Sequence, residues 1–290
     1  MNINYYTPKR KVGFTSLLSL EGIVNTDVFE IVCEAERIMA MRKLKERSDF
    51  FEKRSAVLFT DKPQGAMRVA FEKAAFQCGG QPIVISVGGG INNKQLARSV
   101  ILAIKSGVTA VFTDVTGFAE LTPLIPSDMP VINADSLISP VFSLSALLAV
   151  KSMFGSPSDI AVTVVEDGKP SDLAIAFAKA QARLKIVCPG GADEKDIFYL
   201  SQFTTVSAAE KFDQKDGSKA IIYNSVSDKH LKSILSEGGE PTLLLSVENP
   251  LISELENAAR QEPSYFVAAQ AEYVFAAILS LLLEKESYGV

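Results

Sequence analysis

The run Lys62-Pro63-Gln64-Gly65-Ala66-Met67-Arg68-Val69-Ala70-Phe71-Glu72 joins a β-rich stretch to a helical one, with cations on both sides of the turn. A turn that opens a helix presents unsatisfied backbone N–H groups. Hydroxyls and guanidinium groups added there make an anion site. Here Gln64, Gly65, Ala66 and Met67 supply neither. Arg68 stands four residues before Glu72, the spacing of an ion pair along one helix face.

A second candidate is Val87-Gly88-Gly89-Gly90-Ile91-Asn92-Asn93-Lys94, where glycines between a strand and a helix could turn backbone N–H groups toward an anion, with Lys94 beside them. A bare glycine triplet is a weak motif, and a flexible turn is the commoner reading of it. In Glu166-Asp167-Gly168-Lys169-Pro170, Asp167 and Lys169 could meet a polar ligand, although solvated turn residues are the commoner outcome. At the cleft positions that can be placed, the carboxylates are Asp114, Asp167 and Glu248, and no two are spaced for general acid–base work. Cys33, Cys78 and Cys188 lack metal-ligand spacing and predict reduced thiols. The single histidine, His230, lies in a polar helical stretch, which argues against a Cys-His nucleophile with Cys188. No metal and no cofactor is implied.

The elements that must position these residues follow an α/β alternation, the pattern of parallel sheets with crossover helices. Residues 55–60, 82–87, 108–113 and 130–133 read as buried strands of a first sheet. Met67, Ala70, Phe71, Ala74, Ala75 and Cys78 mark one buried helix face between the first two, and a second helix runs from Asn93 to Ser106. A long amphipathic helix over 27–45 precedes them, with Val28, Ile31, Val32, Ala35, Ile38 and Met39 on one side. An apolar helix over 139–154 leads to a hinge at Gly155-Ser156-Pro157-Ser158. The alternation then restarts with strand 160–165, helix 171–183 and strands 184–188, 220–223 and 242–246. A last apolar helix over 270–285 needs burial, most simply against the first domain. The expected division is 1–138, a linking helix 139–155, 156–269, and a returning helix 270–290. At 290 residues with a net charge of −5, no basic block and no long uninterrupted apolar run, the chain reads as a soluble protein. Neither nucleic acid nor membrane is expected as a partner, and the cytoplasm is the default compartment.

The whole chain resembles the aspartate/ornithine carbamoyltransferase (transcarbamylase) family, with detail closer to the ornithine branch. In that family a Pro-Ser-Thr-Arg-Thr-Arg run opens a helix continuing Val-Ser-Phe-Glu, and Lys62-Pro63, Arg68, Phe71 and Glu72 keep its frame. Phe14-Thr15-Ser16-Leu17-Leu18-Ser19-Leu20, Pro130-Val131-Ile132-Asn133-Ala134 and Gln270-Ala271-Glu272 are similar to further family segments. The resemblance implies two doubly wound parallel-sheet domains joined by interdomain helices, a carbamoyl-phosphate domain followed by an amino-acid domain. It also implies a site between subunits of a trimer.

The departures fall where the family does chemistry. Its phosphate-holding Ser, first Arg and second Thr are matched by Gln64, Ala66 and Met67. The His and Gln that polarise and orient the carbamoyl carbonyl are matched by Ser139 and Phe142. A further phosphate arginine is matched by Thr113 or Asp114, and an aspartate there repels the anion. The late His-Cys-Leu-Pro segment is matched by Leu245-Ser246-Val247-Glu248, and the amino-acid motif only weakly by Ser225-Val226-Ser227. Each charge-assisted hydrogen bond is worth roughly 1.5–3 kcal/mol. Losing three or four removes about four or more orders of magnitude in affinity.

The resemblance therefore implies a non-catalytic member, kept as a structural or regulatory subunit. Its partners would be its own copies in a homotrimer, or an active carbamoyltransferase or another pyrimidine or arginine enzyme. Two alternatives stay open: an enzyme with altered substrates, and a small-molecule sensor whose contacts would include Lys94, Asp167 and Gln270.

Overall fold

The structure is a computed structural model that describes residues 12–46, 49–62, 65–88, 92–115, 123–126, 128–135, 139–166, 171–188, 190–210, 220–224, 243–246 and 263–287. The chain divides into two compact units, Met1–Ser145 with Ala268–Val290, and Ala146–Val267.

In the first unit α1 (Asn25–Lys43) precedes β1 (Ser55–Thr60), α2 (Ala66–Gln77), β2 (Gln81–Ser86), α3 (Asn93–Lys105), β3 (Ala110–Asp114) and β4 (Val131–Asn133). The four strands are parallel in the order β2-β1-β3-β4. Parallel neighbours need crossover helices, and α2 and α3 supply them on opposite faces. Alternation along the strands divides the core. Val57, Phe59 and Val111 pack with Leu96, Ala97 and Val100 of α3. On the other face Phe112 meets Phe71 of α2, with ring centroids 5.4 Å apart. The last described helix, α7 (Pro263–Ser287), reaches the same place. Its Phe275 ring lies 5.0 Å from Phe112 and 5.7 Å from Phe71. Upstream of α1, Leu17 is bonded beside β4, donating to Val131 O and accepting from Asn133 N, both at 2.9 Å.

Strand β2 is not the buried strand its sequence suggests. It lies at the edge of the sheet and Ile85 is 40% exposed, because only β1 pairs with it among the described residues. The turn into β2 is closely packed: a Cβ on Gly80 would stand 1.8 Å from Cδ1 of the buried Phe51.

Helix α4 (Pro140–Phe154) carries the division between the units. In the second unit, β5 (Ala161–Glu166), α5 (Asp172–Lys179), β6 (Arg183–Val187), α6 (Glu194–Ser201), β7 (Val206–Ala209), β8 (Ala220–Asn224) and β9 (Leu243–Ser246) follow. Its sheet is also parallel, ordered β7-β6-β5-β8-β9. Helix α5 is shorter than the expected 171–183. It stops at Lys179 because Gln181 adopts a left-handed φ of 63° and Arg183 already belongs to β6. All residues of α5 are buried, including Lys179, whose ammonium lies 5.3 Å from the centre of the Phe203 ring. No helix among the described residues is long and apolar enough to cross a membrane.

Candidate functional site

The carboxyl ends of β1, β3 and β4 bring Thr60, Asp114 and Asn133 to one edge of the first sheet. Ligands of open parallel sheets gather at such ends. Lys62, just beyond β1, reaches across them. Its Nζ lies 3.0 Å from Asp135 Oδ1 and 3.5 Å from Asp114 Oδ1. Short bonds fix the frame. Thr60 Oγ1 accepts from Lys62 N at 2.9 Å and donates to Asp114 Oδ2 at 3.4 Å. The N–H of Asp61 donates to the Asp114 carbonyl at 3.3 Å, and Asn133 Oδ1 accepts from Asp135 N at 3.1 Å.

Asp114 is fully buried, while the side chains of Lys62 and Asp135 are 25% and 14% exposed. Partial burial acts to lower the Lys62 pKa. The hydrogen bond with Asp135 and the charges of Asp114, Asp135 and Asp61 outweigh it and hold the ammonium above the usual lysine value. Lys62 is therefore charged at neutral pH, yet its charge is already opposed by those carboxylates. A carboxylate 4 Å from a further unit negative charge opposes it by roughly 4 kcal/mol at a surface-like dielectric.

Helix α2 begins beside this cluster. Gly65 is its N-cap and makes no side-chain cap bond, and its N–H donates to Lys62 O at 2.9 Å. Ala66 is exposed in the first turn. Met67 is 4% exposed and belongs to the inward face with Ala70, Phe71, Ala74 and Ala75. Arg68 Nε donates to Glu72 Oε1 at 3.1 Å. Pro63 and Gln64 lie outside the described residues.

The other candidates are dispersed into structural contacts. Thr113 is buried and donates from Oγ1 to Ile132 O at 3.3 Å, across to β4. Ser139 Oγ accepts from Phe142 N at 3.1 Å, so this serine caps α4 and is itself buried. Phe142 is 8% exposed. Lys94 is exposed in the first turn of α3, whose start is fixed by a capping box between Asn92 and Gln95. Gln270 is buried on α7, and its Oε1 has no hydrogen-bond partner among the described residues. Asp167, Lys169, His230 and Glu248 lie outside the described residues. Glu166, at the end of β5, is buried and accepts from Ser171 N at 3.1 Å ahead of α5. Cys33, Cys78 and Cys188 form no disulfide among the described residues, and Cys188 Sγ donates to Gly191 O at 3.2 Å. Among the described residues no group of His, Cys, Asp and Glu could hold a metal ion.

Sequence reasoning missed Asp135, although a carboxylate two residues past the end of β4 is the signal for it. It also missed a polar network linking α1, α2 and α7. Glu272 accepts from Arg42 Nη1 at 2.9 Å and from Lys73 Nζ at 2.5 Å, and Arg42 lies 5.0 Å from the centre of the Tyr273 ring. Further along, the fully buried Glu34 accepts from Arg37 Nε at 2.7 Å and from Ser280 Oγ at 2.7 Å. These carboxylates sit on otherwise apolar helix faces, where pattern reading expects no charge.

Known proteins resemble this chain along most of its length. No family model matches the sequence. An ornithine carbamoyltransferase from a Parafrankia species is 25% identical over 277 residues, covering 82% of this chain and 86% of the relative. Another, from Acidothermus cellulolyticus, is 28% identical over 143 residues, a match spanning 48% of this chain and less than half, 46%, of that relative. Among solved structures, the ornithine carbamoyltransferase of Pyrococcus furiosus superposes with a TM-score of 0.74 at 17% identity, covering 96% of this chain and 98% of that one. The Trypanosoma cruzi aspartate transcarbamoylase in complex with aspartate and phosphate gives 0.71 at 13% identity, covering 95% and 98%.

Proposed function

We propose that this chain, which has the transcarbamylase fold and belongs with the aspartate/ornithine carbamoyltransferases on the ornithine side, is a non-catalytic member retained as a structural or regulatory subunit. One observation carries the reading. At the strand ends facing the start of α2, the charges among the described residues are Asp61, a buried Asp114 and a largely buried Asp135, gathered around Lys62. Carbamoyl phosphate is an anion with a phosphate at one end, and catalysis of its attack needs donors aimed at developing negative charge. The described side chains offer the reverse: more carboxylate than ammonium, a threonine spent on β4, a serine spent on a helix cap and a buried phenylalanine.

The role left to such a chain is assembly, as a homotrimer or beside an active carbamoyltransferase or related biosynthetic enzyme in the cytoplasm. Val69 and Phe76 support it: 61% and 73% exposed, they stand two turns apart on the outer side of α2, an apolar pair that a partner surface would cover.

Calorimetry on the purified chain tests the first part, with no heat expected from carbamoyl phosphate; micromolar binding would end the reading. Light scattering tests the second, with a trimer or a multiple of one expected and a concentration-independent monomer against it.

A further inference from the structure

We infer that the first unit supplies its own anion: the carboxylates of Asp114 and Asp135, held on Lys62, act as a tethered substitute for phosphate and keep the strand-end site closed to free anions. The inference rests on the reading above and adds a cause, since it makes the loss of anion binding an occupied site and not merely a site short of donors.

The geometry is that of a closed ion cluster. Asp114 projects from the last position of β3 and is held by the Thr60 hydroxyl at 3.4 Å. It also lies beside the backbone that opens α2, since a Cβ on Gly65 would stand 3.8 Å from Asp114 Oδ2. The Lys62 ammonium touches both carboxylates, at 3.0 Å and 3.5 Å. A covalently tethered group competes at an effective concentration of at least millimolar, and higher where it is rigidly positioned. Asp114 is rigid because it is fully buried on a central strand. A free phosphate arriving at Lys62 must displace these partners and then sit next to them, and both requirements oppose it.

Lys62 itself is fixed in place: its ammonium is tied to the ends of β3 and β4, while Thr60 and Gly65 hold its backbone through Lys62 N and Lys62 O, each at 2.9 Å.

The test titrates inorganic phosphate into the full chain, following heat and melting temperature in the unaltered protein, in Asp114→Asn/Asp135→Asn, and in that variant with Lys62→Met added. Asparagine keeps the shape of each aspartate and removes its charge. The unaltered chain should show no response. The double variant should gain at least roughly tenfold in phosphate affinity, the worth of one freed charge-assisted bond, and Lys62→Met should abolish the gain. A folded double variant that ignores phosphate overturns the inference while leaving the proposed function standing. Binding by the unaltered chain overturns both. If the double variant does not fold, Asp135→Asn alone carries the test. Its side chain is at the more open position, phosphate should raise its melting temperature, and no rise counts against the inference.

Discussion

Arg68 Nε lies 3.1 Å from Glu72 Oε1, one turn along α2, so this arginine is engaged along its own helix. Both side chains are more than a third exposed, at 36% and 39%, and solvent screens the pair. Arg68→Ala should therefore cost no more than about 0.5 kcal/mol in urea denaturation. Freeing the arginine with Glu72→Gln should create no affinity for carbamoyl phosphate, because Asp114 stays in place. A heat of binding in that variant would give Arg68 a ligand role.

Glu272 offers a contrast, since its carboxylate is 6% exposed and holds Arg42 of α1 and Lys73 of α2 together. Removing its charge leaves the mostly buried Arg42 without that counter-charge and loosens α7 from both helices. Breaking a buried pair from one side costs about 3 kcal/mol or more. Glu272→Gln should lose that much in denaturant melts. Lys73→Met, at a 52% exposed side chain, should lose less than about 1 kcal/mol. Equal losses would mean the network is not centred on Arg42.

Alkaline stability should be set in part by Cys78. Burial raises its thiol from 9.0 to about 11, against the opposing pull of the nearby Arg42. The unfolded chain releases this proton near 9.0 while the folded chain keeps it until about 11, so the unfolded state binds fewer protons across that window. Stability then falls as pH rises through it. Lys62, also raised, adds a loss beginning above its ordinary 10.5. Cys78→Ala should flatten the decline between pH 9 and about 11 in melts taken at stepped pH. The native thiol should also resist alkylation at pH 8, where it stays protonated. An unchanged slope in Cys78→Ala would place the titration elsewhere.

Much of this was legible in the sequence because the parallel strands are short apolar runs and the helices between them keep a 3.6-residue period. The spacing of Met67, Phe71, Ala74 and Ala75 predicts one buried face, and they form it. The shortfalls have physical causes. β2 carries the same β-rich composition as its buried neighbours, and only the strand order makes it an edge. Helix α5 ends on a left-handed Gln181, a choice made by the entry to β6 and not by local propensity. At the site, the sequence displays Lys62 and Asp114 separately, but Lys62 meets Asp114 across 52 positions and Asp135 across 73, which no local pattern links. Glu34 hides among apolar neighbours because its counter-charge, Arg37, lies one turn away and its hydroxyl partner, Ser280, comes from α7.

The sharpest check on the matched positions is to rebuild the loop. Gln64→Ser, Ala66→Arg and Met67→Thr together would place a hydroxyl pair and a guanidinium at the start of α2. Ala66 is exposed and admits the arginine. Met67 is buried, and exchanging its apolar side chain for threonine should cost about 2 kcal/mol. The triple variant should fold with a lowered melting temperature and still make neither citrulline nor carbamoyl-aspartate in a ureido-product assay. Two obstacles survive the exchange. Asp114 keeps negative charge at the strand ends, and Ser139 and Phe142 remain a helix cap and a buried ring, unable to polarise a carbonyl. Product above the level of a buffer blank would show that turnover needs only the loop, and that the residues matched to the carbonyl site have been assigned to the wrong positions.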